Sequence, residues 1–476
     1  MKITRYFSDL YKVPRNPSFK SLTEKDLKYF ESILPSSCIV KENLESYNED
    51  WLSLVKGNSS LLLRPKTTQQ VSAIMQYCNQ ETLAVVPQAG NTSQVAGGVP
   101  VHDEIILSTS SMNSIFKFDE NLGVVWCDSG VVLETLNNYC MERGFIVPLD
   151  LGAKGSCHIG GNLATNAAGL RYIRYGSLHG NVLGLEAVLA DGEVVSDLKA
   201  LRKDNTGYDL KQLFIGSEGT LGVITKLALL LAEKPTSQYV ACLGCESYEK
   251  VLQVLSLAKK ELGEVISAFE FLDKPIYDLI LKNVTSTRDL LRTHHNFYVI
   301  VETSGTNSEH DLEKFESFLE KVTLTGMAQD GILAQDEKQA QEIWKVREGT
   351  ALSTKMEGHV FKYDVSLPLQ EMYRVVERVR KRLTEEFCAG YGHVGDGNLH
   401  LAVATKNPEK TAKALEPFVY EEVQRLQGSV SAEHGVGLTK PSKLKYSKTP
   451  QALQLMKQLK TLFDPKGILN PYKVLI

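Results

Sequence analysis

The sequence predicts an α+β protein with two kinds of strand-and-helix region. From about residue 61 to residue 234, short apolar runs alternate with helical stripes, and three glycine-rich tracts interrupt them. Beyond Pro235 the order becomes strand, helix, strand, strand, helix, which resembles half of a split β-α-β sheet covered on one face. A second such passage is predicted at residues 359–427. The chain has 476 residues, 43% of them hydrophobic, so each region is large enough for its own core.

Composition excludes several functional classes. The net charge is −4, which is unlike the basic footprint of a nucleic-acid-binding protein. The longest apolar run, residues 227–232, is far shorter than the roughly 20 residues of a membrane helix. The eight cysteines are scattered, and most lie in apolar segments, which is typical of free thiols and not of a disulfide framework. Cys242 and Cys245 form one isolated C-x-x-C, which favours two strand thiols over a redox or zinc site.

Apolar periodicity and capping residues predict the elements in order. Thr23 before Glu24 and Asp26 is typical of a helix N-cap with acids in the first turn. Asp464-Pro465 ends the last helix, since the residue before a proline leaves the helical region. Strands are predicted at 60–64, 83–86, 105–108, 123–127, 239–243, 266–271 and 297–302, and helices at 68–79, 131–143, 248–262, 311–321 and 451–463.

The three glycine-rich tracts, residues 87–98, 160–169 and 216–222, predict a phosphate cradle. Small residues let backbone N–H groups crowd around an anion, and Asn and Thr side chains add donors. Any one tract alone could be a set of tight turns. A literal dinucleotide fingerprint occurs at residues 390–395, but a turn and a strand follow it where a Rossmann loop opens a helix. A nicotinamide site is therefore not expected there.

A metal site is predicted from a hairpin signal. Asp396-Gly397 is a two-residue turn sequence, and a turn centred there would pair His393 with His400 across two strands, with their Cβ atoms about 5 Å apart. Glu433 offers a carboxylate as a third ligand. Two histidines and one carboxylate leave open positions, as in catalytic metal sites. The alternative is two partly buried histidines in a sheet and an exposed acid.

Seven motifs carry a family resemblance: residues 148–152, 160–162, 174–180, 202–220, 392–400, 431–435 and 464–471. They resemble those of the D-2-hydroxyglutarate dehydrogenase family, a branch of the vanillyl-alcohol-oxidase (PCMH-type) flavoproteins. The resemblance covers nearly the whole chain, and the block 202–220 is the most specific to this branch.

The resemblance implies an N-terminal arm and helix at 1–54 and a PCMH-type two-lobed FAD-binding domain at 55–234. A ferredoxin-like α+β cap, which is the substrate domain, is implied at 235–430, and a catalytic segment that returns to the flavin at 431–476. The residues implied to bind FAD are Pro87, Gln88, Ala89, Gly90, Asn91, Thr92, Asp150, Gly155, Gly160, Gly161, Asn162, Thr165, Asn166, Gly169, Gly216, Glu218, Gly219 and Asn470.

The resemblance also implies zinc on His393, His400 and Glu433, and a catalytic histidine at His434 that contacts substrate. The family's substrate-binding cations fall on Arg347 and Lys362, which suits a five-carbon diacid. The chain departs from the family pattern in three places. Ala402 and Ala351 replace an Asn and a Thr on the substrate side, and Ala89 replaces a glycine of the phosphate loop.

The implied reaction is oxidation of a D-2-hydroxy acid, (R)-2-hydroxyglutarate, to 2-oxoglutarate, with an electron-transferring flavoprotein as acceptor. The resemblance implies the mitochondrial matrix, although the cytosol stays open, and a homodimer is one assembly to consider. A D-lactate or broad D-2-hydroxy acid dehydrogenase is the main alternative. A transhydrogenase that re-oxidises its flavin with a keto acid, and an inactive flavin- and metal-binding homologue, are two others.

Overall fold

The computed structural model describes residues 13–475, which fall into two compact units. The first unit comprises residues 13–168, 177–234 and 433–475, and the second comprises residues 169–176 and 235–432. Residues 1–12, part of the predicted N-terminal arm, lie outside the described residues. The mixture of strands and helices agrees with the predicted α+β class.

The first unit contains two larger sheets, each with its own core. In the four-stranded sheet three neighbouring strands are parallel and the fourth, at one edge, is antiparallel. The five-stranded sheet is antiparallel throughout. In spatial order the strands are Ile39–Val40, Leu62–Leu63, Ile105–Ser108 and Val85–Gln88, then Ile115–Asp119, Val124–Asp128, Val223–Leu230, Val182–Val188 and Val194–Asp197, with a small pair Ala232–Glu233 and Phe145–Ile146.

The helix Thr68–Glu81 shows how the sequence builds the first core. Its buried residues 71, 74, 75 and 78 recur at helical spacing, so one face packs inward. The Thr67 side chain accepts the Gln70 amide as an N-cap. The α-helices of this unit are Glu24–Ile33, Glu45–Asn48, Thr68–Glu81, Leu133–Met141, Ile159–Thr165, Leu178–Asn181, Lys211–Phe214 and Pro450–Phe463, with 3₁₀ turns Ser36–Cys38, Thr109–Ser111 and Pro441–Tyr446.

The C-terminal segment is part of the first unit. The Val85 amide donates to the Ile468 carbonyl, and the Asn470 amide donates to the Val85 carbonyl, both at 2.8 Å. Ile468 and Leu469 are fully buried in the core of the four-stranded sheet. The chain end therefore lies directly beside the strand that leads into the first glycine-rich tract.

The second unit is built on one seven-stranded antiparallel sheet. The predicted split β-α-β pattern is confirmed twice: Phe297–Gly305 lies between Ser237–Cys245 and Ile266–Asp273, and Asn398–Thr405 lies between Phe387–Gly392 and His359–Ser366. The strand Asp330–Leu333 completes the sheet at one edge. The helices are Tyr172–Tyr175, Tyr248–Glu261, Lys274–Asn283, Ser308–Leu324, Glu337–Glu348, Thr350–Met356, Leu369–Arg382, Pro408–Leu415 and Phe418–Arg425.

All eight cysteines are free and buried, as expected from their apolar surroundings. Cys242 and Cys245 lie on the strand Ser237–Cys245, and burial raises the pKa of Cys245 to about 12. Both thiols therefore stay protonated and unreactive. In the part of the chain from residue 13 to residue 475, no helix combines the length and the apolar run needed to cross a bilayer.

The fully buried Asp26 ties the first helix to its surroundings. Its carboxylate accepts hydrogen bonds from Lys20 Nζ, the Thr23 hydroxyl and the Tyr77 hydroxyl at 2.6–2.8 Å. Burial raises the pKa of Asp26, but these donors outweigh it and lower that pKa to about 2. The charge therefore stabilises the folded state above pH 4, and this stabilisation is lost as the pH falls towards 2.

Asp26→Asn is expected to lower the free energy of unfolding by about 2 kcal/mol at pH 7. Urea unfolding measures the loss, which should shrink between pH 4 and pH 2 because the wild-type carboxylate becomes protonated. Glu31→Gln on the same helix, at an exposed ion pair with Lys41, should cost less than about 0.5 kcal/mol. Equal stability of Asp26→Asn and wild type at pH 7 would contradict this account.

Candidate active site

The first glycine-rich tract packs closely against the second tract and against Ser156 just before it. A Cβ atom on Gly90 would lie 2.1 Å from the Ser156 carbonyl oxygen, and one on Gly161 would lie 2.7 Å from the Ala89 Cβ. Only glycine permits these approaches. The departure at Ala89 is accommodated, because its methyl group faces a glycine across the contact.

The third tract joins the same place. The Gly216 amide donates to the Leu163 carbonyl at 3.0 Å, and the Glu218 amide donates to the Ala164 carbonyl at 2.7 Å. Gly219 lies against the Pro87 ring. The structure therefore brings together the three tracts that the sequence singled out.

The predicted cofactor residues do not all have the same surroundings. Asn91 donates its side-chain amide to the carbonyls of Ser46 and Glu49, so it holds a neighbouring loop. Asp150 pairs with Lys154. Gly155 lies in a turn before the helix Ile159–Thr165. The other first-unit members lie on the three tracts or at the chain end, whereas Gly169 belongs to the second unit.

The loops provide both space and unsatisfied polar groups for a polar ligand. A cavity of about 580 Å³ is lined by Gln88–Asn91, by Ser108, Ser156 and His158, and by residues 45–53. Buried polar atoms are normally paired. Among the described residues, five buried side-chain atoms in or beside these tracts have no hydrogen-bond partner: Gln88 Oε1, Thr109 Oγ1, Ser129 Oγ, His158 Nδ1 and Asn162 Oδ1. The hydroxyls can donate to phosphate oxygens, and the two amide oxygens can accept from ring N–H groups. The set therefore fits a large cofactor that carries both.

A second cluster lies on the seven-stranded sheet, where two imidazoles approach each other. The ring centroids of His393 and His400 are 5.2 Å apart, and both side chains are buried. His393 Nδ1 lies 2.6 Å from Glu270 Oε1. A carboxylate partner requires the proton on Nδ1, which leaves the Nε2 lone pair for a metal.

The predicted hairpin register is wrong by two residues. The prediction pairs His393 with His400, whereas the strands pair Tyr391 with His400. His393 begins the connecting loop, where its carbonyl accepts the amides of residues 396, 397 and 398. The turn therefore takes five residues and not two. Side chains alternate between the two faces of a strand, and the observed register differs from the predicted one by an even number of residues. The His400 side chain therefore lies on the face of the sheet that was predicted.

Glu270 joins the histidine pair to the candidate substrate arginine. The Arg347 Nε donates to Glu270 Oε2 at 2.7 Å, and both side chains are buried. Burial raises the pKa of Glu270, but the electrostatic interactions and hydrogen bonds of His393 and Arg347 outweigh it and hold that pKa below its usual range. One ionised carboxylate thus orients an imidazole and a guanidinium together.

Lys362, the second candidate substrate-binding cation, lies on the same face of this sheet as His400. It pairs with Ala402, and two residues further along, Asp364 pairs with His400, so alternation puts these side chains on one side. Lys362 is exposed and Ala402 is fully buried. Ala351, the other departure from the family pattern, is exposed in the helix Thr350–Met356.

Glu433 and His434 belong to the first unit, where their side chains approach to 3.4 Å. His434 Nε2 also lies 3.2 Å from the Gln94 amide nitrogen. Glu433 directly follows Ala432, the last residue of the second unit, whose amide donates to the Asp364 carbonyl at 3.2 Å. The backbone is thus anchored one residue before Glu433 to the strand that neighbours His400.

Sequence reasoning missed Glu270 and Gln94. Glu270 had a visible signal, since it is the one carboxylate inside the apolar run Ile-Ser-Ala-Phe-Glu-Phe-Leu at residues 266–272. Ionised groups seldom lie in such strands unless they are paired. Gln94 had no such signal, because it lies among other polar residues of a glycine-rich tract.

Two family models match the chain. One is described as the FAD binding domain and covers residues 59–197, and the other, the C-terminal domain of FAD linked oxidases, covers residues 234–474. Together they cover most of the sequence. FAD is therefore the cofactor of this protein.

Two curated relatives are similar to nearly the whole chain. The mitochondrial D-2-hydroxyglutarate dehydrogenase of Arabidopsis thaliana is 51% identical over 97% of this chain and 84% of its own length. The D-2-hydroxyglutarate–pyruvate transhydrogenase of Saccharomyces cerevisiae is 45% identical over 97% of this chain and 96% of its own length.

The fold is also found in solved structures of low sequence identity. p-Cresol methylhydroxylase with substrate bound aligns with a TM-score of 0.76 over 96% of this chain and 98% of its own, at 16% identity. This likeness confirms the predicted PCMH-type fold and carries nothing about substrate.

Gly90→Ala is expected to release FAD, because the added methyl group would push the first tract away from Ser156. We expect the flavin retained per chain after gel filtration to fall at least about tenfold, because the loss of one strong contact weakens FAD binding by about that factor. Gly180→Ala is the matched control, since nothing lies within 4 Å of its Cβ position. Full flavin retention by Gly90→Ala would show that the contact between the tracts is dispensable for FAD binding.

Proposed function

The chain belongs to the D-2-hydroxyglutarate dehydrogenase family of FAD-linked oxidases, and we propose that it oxidises (R)-2-hydroxyglutarate to 2-oxoglutarate with the help of zinc. As a member of this family it is an FAD-dependent dehydrogenase. The observation that carries the proposal is the buried Glu270 carboxylate, which holds the candidate metal ligand His393 and the candidate substrate arginine Arg347 side by side.

We propose that FAD lies along the three glycine-rich tracts of the first unit and that the second unit recognises the substrate. The orphaned buried atoms Gln88 Oε1, Asn162 Oδ1 and His158 Nδ1 would pair with the cofactor. Asn470 would contact the flavin ring from the chain end, as the family resemblance implies. When bound, FAD supplies the hydride acceptor, and a divalent metal lowers the pKa of a hydroxyl that it coordinates.

The metal ligands we propose are His393, His400 and Glu433. Two buried imidazoles 5.2 Å apart, one with its proton assigned by Glu270, are a suitable donor set for zinc. Support for Glu433 comes from the chain itself, because Ala432 is anchored to Asp364, the register partner of His400. These three ligands leave positions for the hydroxyl and the C1 carboxylate of the substrate.

His434 is the proposed general base. It accepts the hydroxyl proton on an imidazole nitrogen while the hydrogen on C2 leaves as hydride. Histidine suits this task because its pKa lies near neutral pH. Gln94, 3.2 Å from Nε2, constrains the orientation of the ring.

Arg347 and Lys362 are proposed to bind the distal carboxylate of the diacid. The Arg347 Nε already bonds Glu270, so the terminal nitrogens of the guanidinium are the ones that would meet the substrate. Arg347 is fixed by a buried partner, whereas Lys362 is exposed. The arginine is therefore the more selective of the two.

The acceptor we propose is an electron-transferring flavoprotein. A second candidate follows from the yeast relative, whose name describes transfer between D-2-hydroxyglutarate and pyruvate. In that case a keto acid would re-oxidise the flavin. The Arabidopsis relative is named mitochondrial, and this agrees with the mitochondrial location expected for the family.

Anaerobic addition of D-2-hydroxyglutarate is expected to bleach the flavin of the wild-type protein. Arg347→Ala should slow this reduction at least about 100-fold, because it removes one partner of a buried charge pair. D-lactate has no distal carboxylate, so its reaction should slow less than about tenfold. D-lactate is the internal control, since damage transmitted through Glu270 would affect both substrates. Preference of the wild type for D-lactate would reject the diacid assignment. Equal losses on both substrates would attribute the effect of Arg347→Ala to Glu270 and not to the distal carboxylate.

Removal of metal by dialysis against a chelator should abolish flavin reduction by substrate, with FAD retained and activity restored by Zn²⁺. His400→Ala should lower the bound metal, measured by elemental analysis, from about one per chain to near zero, since two ligands bind zinc far more weakly than three. His294→Ala removes an exposed histidine and should keep full metal content. Unchanged turnover by metal-free protein would exclude a catalytic metal.

A further inference from the structure

The Glu218 carboxylate binds the backbone that follows His434. Each of its two oxygens accepts one backbone hydrogen bond, from the Val436 amide at 2.7 Å and from the Gly437 amide at 2.8 Å. Glu218 is buried, with 9% of its surface exposed. Burial raises the pKa of Glu218 above its usual range, and the two amide bonds act against that rise. Because both oxygens accept backbone amides, the carboxyl group holds the loop at two points.

The anchored loop has no room to shift. A Cβ on Gly435 would lie 2.9 Å from the Glu218 carboxyl carbon, and one on Gly437 would lie 2.2 Å from the Val95 carbonyl oxygen. Both glycines have positive φ, +82° and +48°, which side-chain-bearing residues rarely adopt. Residues 435–437 are therefore confined between Val95 and Glu218.

Glu218 is itself held in an unfavourable backbone conformation. Its φ is +53°, a region that residues other than glycine rarely adopt. Its amide donates to the Ala164 carbonyl, and its carbonyl accepts the Asn470 side-chain amide, both at 2.7 Å. Such strain persists where surrounding contacts enforce it and where it aims a side chain.

We propose that Glu218 is a positioning residue, which fixes the imidazole of His434 through the backbone of residues 435–437. This rests on the proposed role of His434 as general base. Gln94 acts from the other side, since its side chain contacts the His434 ring and the next residue, Val95, contacts the loop. Misplacement of a base by about 1 Å can cost on the order of 100-fold in rate.

Glu218→Gln is the sharpest test, because it preserves shape while placing an amide NH₂ against one of the two backbone donors. We expect flavin reduction by D-2-hydroxyglutarate in a single turnover to slow by about 10- to 100-fold. The resemblance implies FAD binding by Glu218, but both of its carboxylate oxygens bond backbone amides of residues 436 and 437. FAD content per chain and the substrate concentration at half-maximal rate should therefore change less than about threefold. This split separates positioning from loss of FAD or substrate binding.

Glu186→Gln is the matched control. Glu186 is another buried carboxylate of the same unit, bonded to Lys226, Thr68 and Thr225, and none of these three partners belongs to the His434 loop. We expect it to lower thermal stability while leaving the reduction rate within about twofold of wild type. A comparable slowing in Glu186→Gln would attribute the effect to general destabilisation and overturn the proposal.

Two further readouts make the proposal specific to His434. In a His434→Ala background, Glu218→Gln should slow reduction less than threefold further, because residues that act as one unit are not additive. Amide hydrogen exchange of residues 435–437 should be faster in Glu218→Gln, a result that does not require catalysis. The proposal would be overturned if the effects of the two substitutions on the rate were fully additive, or if amide exchange of residues 435–437 were unchanged. It would also be overturned if Glu218→Gln lost FAD while the rate per bound flavin stayed normal.

Failure of the proposed function gives a different result. If D-2-hydroxyglutarate and other D-2-hydroxy acids leave the wild-type flavin oxidised, the function is wrong. If the wild type is reduced and Glu218→Gln is reduced equally fast, the function stands and the positioning role is wrong.

Discussion

A single buried carboxylate, Glu270, is the interaction on which the candidate chemistry depends. An ionised acid inside a sheet is costly unless it is paired, and Glu270 is paired twice, with His393 and with Arg347. Each partner is held in one orientation by this pairing. Removing either partner would leave the carboxylate charge uncompensated. The sheet thereby fixes the direction of an imidazole and of a guanidinium before any substrate arrives, which is the preorganisation that catalysis requires.

The cofactor side of the molecule relies on backbone and not on charge. Gly90 and Gly161 let two loops touch at distances that no side chain would permit. Asn91, Asn166, Glu218 and Asn470 all adopt positive φ in these loops or beside them. Strained backbone concentrated in one place is typical of ligand-binding loops, where contacts with the neighbouring structure stabilise it. The same strain in Glu218 turns its carboxylate towards the loop after His434.

The metal site shows what a sequence can and cannot predict about geometry. Asp396-Gly397 correctly indicated a turn between two strands, and His393 and His400 do approach each other. The register was wrong because turn length depends on more than the two central residues. The His393 carbonyl accepts three successive amides, and Gly395 bonds the neighbouring strand through the Phe269 carbonyl. Those contacts come from residues distant in sequence, so the local motif carries no record of them.

The sequence by itself determined the α+β class, the split β-α-β arrangement of the second unit and the three glycine-rich tracts, because these follow from local periodicity and from glycine's conformational freedom. It also marked the family, and through it the candidate ligands and the base. Only the tertiary structure decided that Glu270 joins the histidine pair to Arg347 and that Glu218 grips the loop of His434. Both are contacts between segments more than 70 residues apart, and a buried charge reveals its partner only when the chain is folded around it.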